Sequence, residues 1–153
     1  MKSIGHAMTR ARGFTLVEVL IALIVLSIGL LGIASLQLSS LRWNHGASMR
    51  SQATLLAYDI VDRMRVNQVA ANSGEYNIAF GSAAAGGTVA GDDLLRWKQN
   101  LATTLPEGDG SVTRVPSATS ATYEIRVQWN DQHAEAAVDP GATTLVFMLR
   151  TQI

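Results

Sequence analysis

The chain has 153 residues, 48% of them hydrophobic and 16% charged, and its formal net charge at pH 7 is zero. A charged share below the roughly 25% of an average soluble domain indicates a segment that lies outside water. The balanced charge disfavours nucleic acid as the main partner, because nucleic-acid binders carry a basic patch or an elevated pI. The absence of cysteine excludes disulfides, thiolate nucleophiles and cysteine-ligated zinc.

The first feature in chain order is a basic leader followed by a long apolar run. Lys2, Arg10 and Arg12 come first with no acid among them, and residues 19–41 carry no charge. The run exceeds the roughly 20 residues that cross a bilayer as a helix. The positive-inside bias keeps the leader in the cytoplasm, so we expect a single-pass helix with the remaining chain on the opposite side.

Three interpretations of this segment compete. A secretory signal peptide has an apolar stretch of only about 7–15 residues before a small-residue cleavage site, and this run is too long. A plain membrane anchor fits the length but leaves Glu18, an acid about one turn inside the apolar run, unexplained. The third is a membrane helix in which Glu18 has a function, the default for an ionisable intramembrane residue. A lone Glu can also simply reach back to the interface.

The residues around Glu18 carry a resemblance to a known family. Residues 13–23 read Gly-Phe-Thr-Leu-Val-Glu-Val-Leu-Ile-Ala-Leu, which resembles the class III leader end and mature N-terminus of type IV pilins and pseudopilins. The resemblance implies that prepilin peptidase cuts between Gly13 and Phe14 and that Phe14 is N-methylated. It also implies that Glu18 meets the N-terminal amine of a neighbouring subunit in a filament, since a buried charge is tolerable only when paired.

The boundaries of these features predict three parts of the chain. We expect a leader at residues 1–13, a transmembrane and filament-core helix at residues 14–41, and a periplasmic globular domain at residues 42–153. The domain includes an amphipathic helical half, because no proline occurs before Pro106 to end the helix. A helix running from Phe14 to about Asn67 would be roughly 80 Å long at 1.5 Å per residue.

The amphipathic half has an apolar stripe typical of a helix that lies on a core. Its members recur at spacings of three and four: Ala53, Leu56, Ala57, Ile60, Val61 and Met64. Residues 50–65 also resemble the PilV branch of minor pilins, through a similar Ser-Gln-Ala, Ala-Tyr-Asp and Asp-Arg-Met-Arg order. The polar residues of this segment can also be interpreted as solvated charges on the exposed face of a helix. That interpretation is compatible with the resemblance. Asp59 and Arg63 are placed to pair at i, i+4.

The distal part is predicted to be a loop, a second helix and a small sheet. Residues 69–91 have loop composition, with a short strand or docking point around Ile78. Asp92 and Asp93 are predicted to cap a helix that carries Trp97 and ends before Pro106. The strand candidates are residues 112–115, 122–130 and 144–152, of which the second has Tyr123, Ile125, Val127 and Trp129 facing inward and Glu124, Arg126, Gln128 and Asn130 facing outward.

These elements predict an α+β protein in which a small antiparallel sheet packs on the stripe of residues 53–64, as in the pilin fold. No nucleophile elbow, phosphate loop or metal-ligand spacing is present in the sequence. The histidines are scattered, and His133, near Glu135 and Asp139, is expected to be solvated. We therefore predict no cofactor, no metal site and no enzymatic activity.

The resemblance implies a minor pilin of a type IV pilus, similar to PilV, that takes part in pilus assembly or initiation. Its implied partners are prepilin peptidase, other minor pilins, the major pilin and the assembly platform in the inner membrane. It would be held in the inner membrane and then placed in the pilus. A pseudopilin of a type II secretion system is the alternative of the same fold. A bitopic membrane enzyme or binding module is the alternative of another class.

Overall fold

A computed structural model describes residues 13–115, 122–131 and 143–153 of the chain. The elements are α1 (Leu16–Val66), α2 (Gln68–Ser73), α3 (Val89–Thr104), β1 (Asp109–Val115), β2 (Thr122–Asn130) and β3 (Thr144–Gln152). The chain divides into two compact units, Met1–Leu41 and Arg42–Ile153. The predicted leader residues Lys2, Arg10 and Arg12, and the loop residues His133, Glu135 and Asp139, lie outside the described residues.

The predicted long helix is confirmed as α1, which begins at Leu16 and ends at Val66. Gly46 does not interrupt it, since a single glycine costs a helix only about 1 kcal/mol. In the second unit one face of α1 is buried, and that face consists of Met49, Ala53, Ala57, Ile60, Val61 and Met64. These positions include the predicted stripe, except that Leu56 is only partly buried.

A three-stranded antiparallel sheet in the order β1-β2-β3 packs on this face of α1, so the protein is α+β and has the predicted pilin-like architecture. The central strand pairs Ile125 with Val112 on one side and with Leu149 on the other. The predicted inward face of β2 is confirmed, and its side chains are at most 2% exposed: Tyr123, Ile125, Val127 and Trp129. Because strand residues alternate between faces, this pattern fixes the register against the core.

Helix α3 completes the core through Trp97, which is fully buried. Its indole nitrogen donates a hydrogen bond of 2.8 Å to the backbone carbonyl oxygen of Leu56 in α1. Gly110 of β1 lies against the same ring, and a Cβ there would stand 2.7 Å from Cδ1 of Leu101 and overlap the indole. The close approach of β1 to α3 therefore requires glycine at this position.

The predicted cap of α3 was wrong. The helix begins at Val89, and its N-cap is Thr88, whose hydroxyl accepts a hydrogen bond of 3.0 Å from the backbone N–H of Gly91. Asp92 lies in the first turn and accepts from Gly87 N–H at 3.1 Å. Asp93 instead contacts other elements, because its position on α3 faces the end of α1.

Asp93 belongs to a polar network between α1, α3 and the connection after α2. Arg63 contacts Asp59 at 3.1 Å, which confirms the predicted i, i+4 pair, and Asp93 at 3.2 Å. The hydroxyl of Tyr76 donates to Asp93 at 2.7 Å. Burial and this hydrogen bond raise the pKa of Tyr76 to about 12, so the phenol remains a donor at neutral pH.

The segment predicted as a plain loop, residues 69–91, contains more structure than its composition indicated. Most of α2 lies in it, with Ala70 and Ala71 buried. Gly74 ends α2 in the left-handed conformation that glycine favours. Ile78 forms an antiparallel bridge with Val112, which confirms the predicted docking point. Burial of small alanines, which carry little hydrophobic signal, explains why the short helix was missed.

Glu124 was predicted to face outward on β2, and its side chain is nevertheless buried. The side chain of Glu124 is only 7% exposed, because it lies between Arg126 on its own strand and Arg150 on β3. Arg150 contacts it at 2.6 Å. The hydrogen bonds from Arg150, and then from Arg126, lower the pKa of Glu124 against the opposing effect of burial.

Candidate functional site

The N-terminal end of α1 contains the residues that the sequence singled out. Gly13, Phe14 and Thr15 precede the helix and have no regular secondary structure. Phe14 is 82% exposed, and apart from the chain neighbours of Gly13 no described residue has an atom within 4 Å of a Cβ placed on it. The peptide bond between Gly13 and Phe14 therefore precedes the first helical residue, Leu16, and the other described residues leave it uncovered.

The first turn of α1 is closed by Thr15, a residue that the sequence argument did not single out. Its hydroxyl accepts a hydrogen bond of 3.3 Å from the backbone N–H of Glu18, and its carbonyl oxygen accepts from the same N–H at 3.1 Å. Thr-x-x-Glu is the sequence signature of a capping box, so this pattern could have revealed the helix start.

Glu18 lies in this first turn with its side chain exposed. The helix dipole favours an acid there, because unpaired N–H groups give the N-terminus a partial positive charge. Phe14 and Glu18 line one shallow groove along the helix with Val19, Ala22, Leu23 and Leu26. The structure thus places the carboxylate of Glu18 and the side chain of Phe14 along one groove at this helix end, and both are exposed.

The apolar run that follows is exposed along its length in the first unit. The α1 helix is long and apolar enough to cross a membrane, with a mean hydropathy of 2.8 over its most apolar window and none of that window buried. The hydroxyl of Ser27 donates to the carbonyl oxygen of Leu23 at 2.7 Å, so this polar group is satisfied within the helix. Such a surface needs lipid or other apolar helices around it, since water would not favour its exposure.

Metal-ligating side chains are dispersed over the described ranges, 13–115, 122–131 and 143–153. In that part of the chain no three His, Asp or Glu side chains come together in a suitable cluster. His45 lies exposed on α1. Lys98 and Asp109 form an ion pair of 2.5 Å that connects α3 with β1.

Comparison with known proteins relates the N-terminal segment to a described family. Residues 8–34 match the family described as the prokaryotic N-terminal methylation motif, and this range includes Gly13, Phe14 and Glu18. No curated protein and no solved structure matches the chain. The match and the fold together support a type IV pilin-like family and a membrane-anchored structural subunit, a pilin or pseudopilin, rather than an enzyme.

Proposed function

We propose that this protein is a minor pilin of a type IV pilus, similar to PilV, which takes part in assembling or initiating the filament. The methylation motif at residues 8–34 carries this proposal. It is supported by a long exposed apolar helix that leads into a small α+β domain. Residues 1–13 serve as the leader, residues 14–41 as the membrane and filament-core helix, and residues 42–153 as the periplasmic domain.

Processing in this proposal occurs at the open segment before α1. Prepilin peptidase cuts between Gly13 and Phe14, and the amine of Phe14 is then methylated. The cut places an ammonium group at the N-terminal end of a helix, where the dipole disfavours positive charge. A carboxylate close to the ammonium offsets this cost. Inside the filament, Glu18 of a neighbouring subunit provides that carboxylate, because a buried charge is tolerable only when it is paired. Such a pair also penalises wrong registers between helices.

The partners follow from this route. The chain meets prepilin peptidase and the assembly platform in the inner membrane, and then the major pilin and other minor pilins in the pilus. A type II secretion pseudopilin is the second candidate, because the methylation motif and the fold are common to both classes. The PilV-like order of residues 50–65 favours the pilus.

Deletion of the gene in a strain that cannot retract pili separates the two candidates. We expect sheared surface pili to be lost while enzyme secretion into the medium stays normal. Normal pili with failed secretion would assign the protein to the pseudopilins. Mass spectrometry of the mature protein tests the processing step, and a surviving N-terminus at Met1 would contradict both candidates and favour a plain membrane anchor.

A further inference from the structure

Trp43 differs from the other two tryptophans of the chain in its surroundings. Trp97 is fully buried and Trp129 is 2% exposed, whereas Trp43 is 76% exposed on α1. The buried face of α1 begins only at Met49. Trp43 therefore contributes nothing to the core of its own unit, and its large apolar ring is available to other surroundings.

The position of Trp43 along the helix corresponds to one edge of a bilayer. From Val19 to Leu38 the run is nearly all apolar, and at 1.5 Å per residue it covers roughly 30 Å, the thickness of the hydrocarbon layer. Polar residues follow, and Trp43 lies roughly 7.5 Å beyond Leu38 along the axis. That distance reaches the outer limit of the headgroup region, which adds about 5–7.5 Å on each side.

The direction of helical side chains brings the ring closer still to the lipid. In an α-helix the Cα–Cβ bonds tilt toward the N-terminus, so a side chain covers the turn before its own Cα. The ring of Trp43 therefore leans toward the apolar run. Tryptophan suits this depth, because its ring is apolar and its indole N–H can bond to headgroups or water.

The charges around Trp43 have the sign that suits an anionic surface. Arg42 is the first charged residue after Glu18, and His45 and Arg50 follow it on the exposed surface of α1. No acid occurs between Glu18 and Asp59. Residues 42–50 thus combine basic groups, which lipid phosphates complement, with an exposed aromatic ring, which suits the headgroup region.

We propose that residues 42–50 form an interfacial anchor in which Trp43 and Arg42 bind the lipid headgroups on the far side of the membrane from the leader. The anchor sets the depth at which the unassembled subunit is held. This inference rests on the proposed function, since it concerns the membrane-held state that precedes assembly. In that state Glu18 lies at the opposite edge of the hydrocarbon layer, on the side of the leader.

Tryptophan fluorescence in vesicles measures this depth. The full chain is reconstituted in phosphatidylcholine–phosphatidylglycerol vesicles whose lipids carry bromine either near the headgroup or near the end of the acyl chain. The emission of Trp43 is the difference between the wild type and the W43F variant, which keeps an aromatic ring. Two reference chains calibrate the depth in the W43F background: L30W at the middle of the apolar run, and Y58W in the second unit.

We expect the shallow bromine to quench the Trp43 emission more strongly than the deep bromine, and W43F to lose this lipid-dependent quenching. L30W should show the opposite order, and Y58W should be quenched only by acrylamide in the water. Stronger deep than shallow quenching of Trp43 would overturn the anchor, as would shielding from both bromines, which would indicate contact with another protein copy. If neither bromine quenches the emission of L30W, the apolar run does not lie in the membrane. That result would contradict both the membrane helix and the anchor.

Discussion

At the residue scale, the proposal assigns the filament contact to the charge of Glu18. The backbone N–H of Glu18 is already bonded to Thr15, so the helix start does not need the carboxylate. We expect Glu18→Val to leave the protein cleaved and inserted in the membrane but poorly incorporated, because the neighbouring ammonium loses its partner. Quantifying the variant in sheared filaments against the membrane fraction checks this.

The matched control for that variant is Glu18→Asp, which keeps a carboxylate one methylene shorter. It should incorporate better than Glu18→Val. Normal incorporation of Glu18→Val would remove the assembly role from this residue, whereas failure of membrane insertion would assign Glu18 to an earlier step.

Glu124 is one residue whose charge should make the stability of the fold depend on pH. Its pKa lies below the ordinary value of 4.5, so the folded protein binds this proton less readily than the unfolded chain. The carboxylate therefore stabilises the fold above pH 4.5, and this contribution disappears as the pH falls through the lower folded value. We expect Glu124→Gln to have a lower free energy of unfolding than the wild type at pH 7. This difference in free energy should shrink as the pH falls.

Urea unfolding in detergent, followed by circular dichroism at several pH values, measures this effect. Asp62→Asn is the control, because the Asp62 side chain is 69% exposed in its pair with Arg65. An exposed pair contributes at most about 1 kcal/mol, so this variant should stay close to the wild type at pH 7. If the free energy of unfolding of Glu124→Gln differed from that of the wild type by the same amount at all pH values, the contacts of Glu124 with the arginines would not depend on its charge.

At the scale of elements, the contact between β1 and α3 depends on the missing side chain of Gly110. A Cβ there would overlap the ring of Trp97, which is fully buried and cannot move aside. Overpacking of a core typically costs about 1–3 kcal/mol. We expect Gly110→Ala to lower the free energy of unfolding of the second unit by about that amount, as measured by denaturant titration.

Gly29→Ala provides the matched control, because outside the local helix backbone no described residue comes within 4 Å of a Cβ at that position in α1. Alanine favours a helix over glycine, so this change should leave the second unit as stable as before. A Gly110→Ala variant of wild-type stability would mean that α3 and β1 do not approach as closely as described.

At the scale of the whole molecule, the hydrophobic core lies within one of the two units. Every residue of the buried cluster, from Met49 to Trp129, belongs to Arg42–Ile153. Exposed apolar side chains dominate the other unit in its described part. We therefore expect residues 42–153, expressed alone, to be soluble and to unfold cooperatively, whereas the full chain should require detergent or lipid.

The control fragment for that experiment is residues 66–153, which lacks the buried stripe of α1. Loss of a buried aliphatic side chain costs about 2–5 kcal/mol, and a domain of this size is stable by only about 5–15 kcal/mol. The shorter fragment should therefore remain unfolded by circular dichroism. Aggregation of residues 42–153 would contradict the division, because it would show that residues before 42 complete the core.

Much of the fold was predictable because its signals are local. The absence of proline and the three-four spacing of apolar residues predicted α1, and the strict alternation in residues 122–130 predicted β2 and its buried face. The proposed site was equally local, since Gly13, Phe14 and Glu18 lie within six positions of one another. Only Thr15 was overlooked there, although its capping pattern is visible in the sequence.

The sequence by itself therefore determined the order and type of the main elements and the N-terminal motif, because periodicity and motif spacing depend on neighbours along the chain. The tertiary structure decided which polar groups meet. Asp93 pairs with Arg63 and Tyr76 instead of capping α3, Glu124 is covered by arginines from two strands, and Trp43 is the tryptophan left outside the core. Partners from distant positions set burial and charge pairing, and spacing along the chain does not encode those partners.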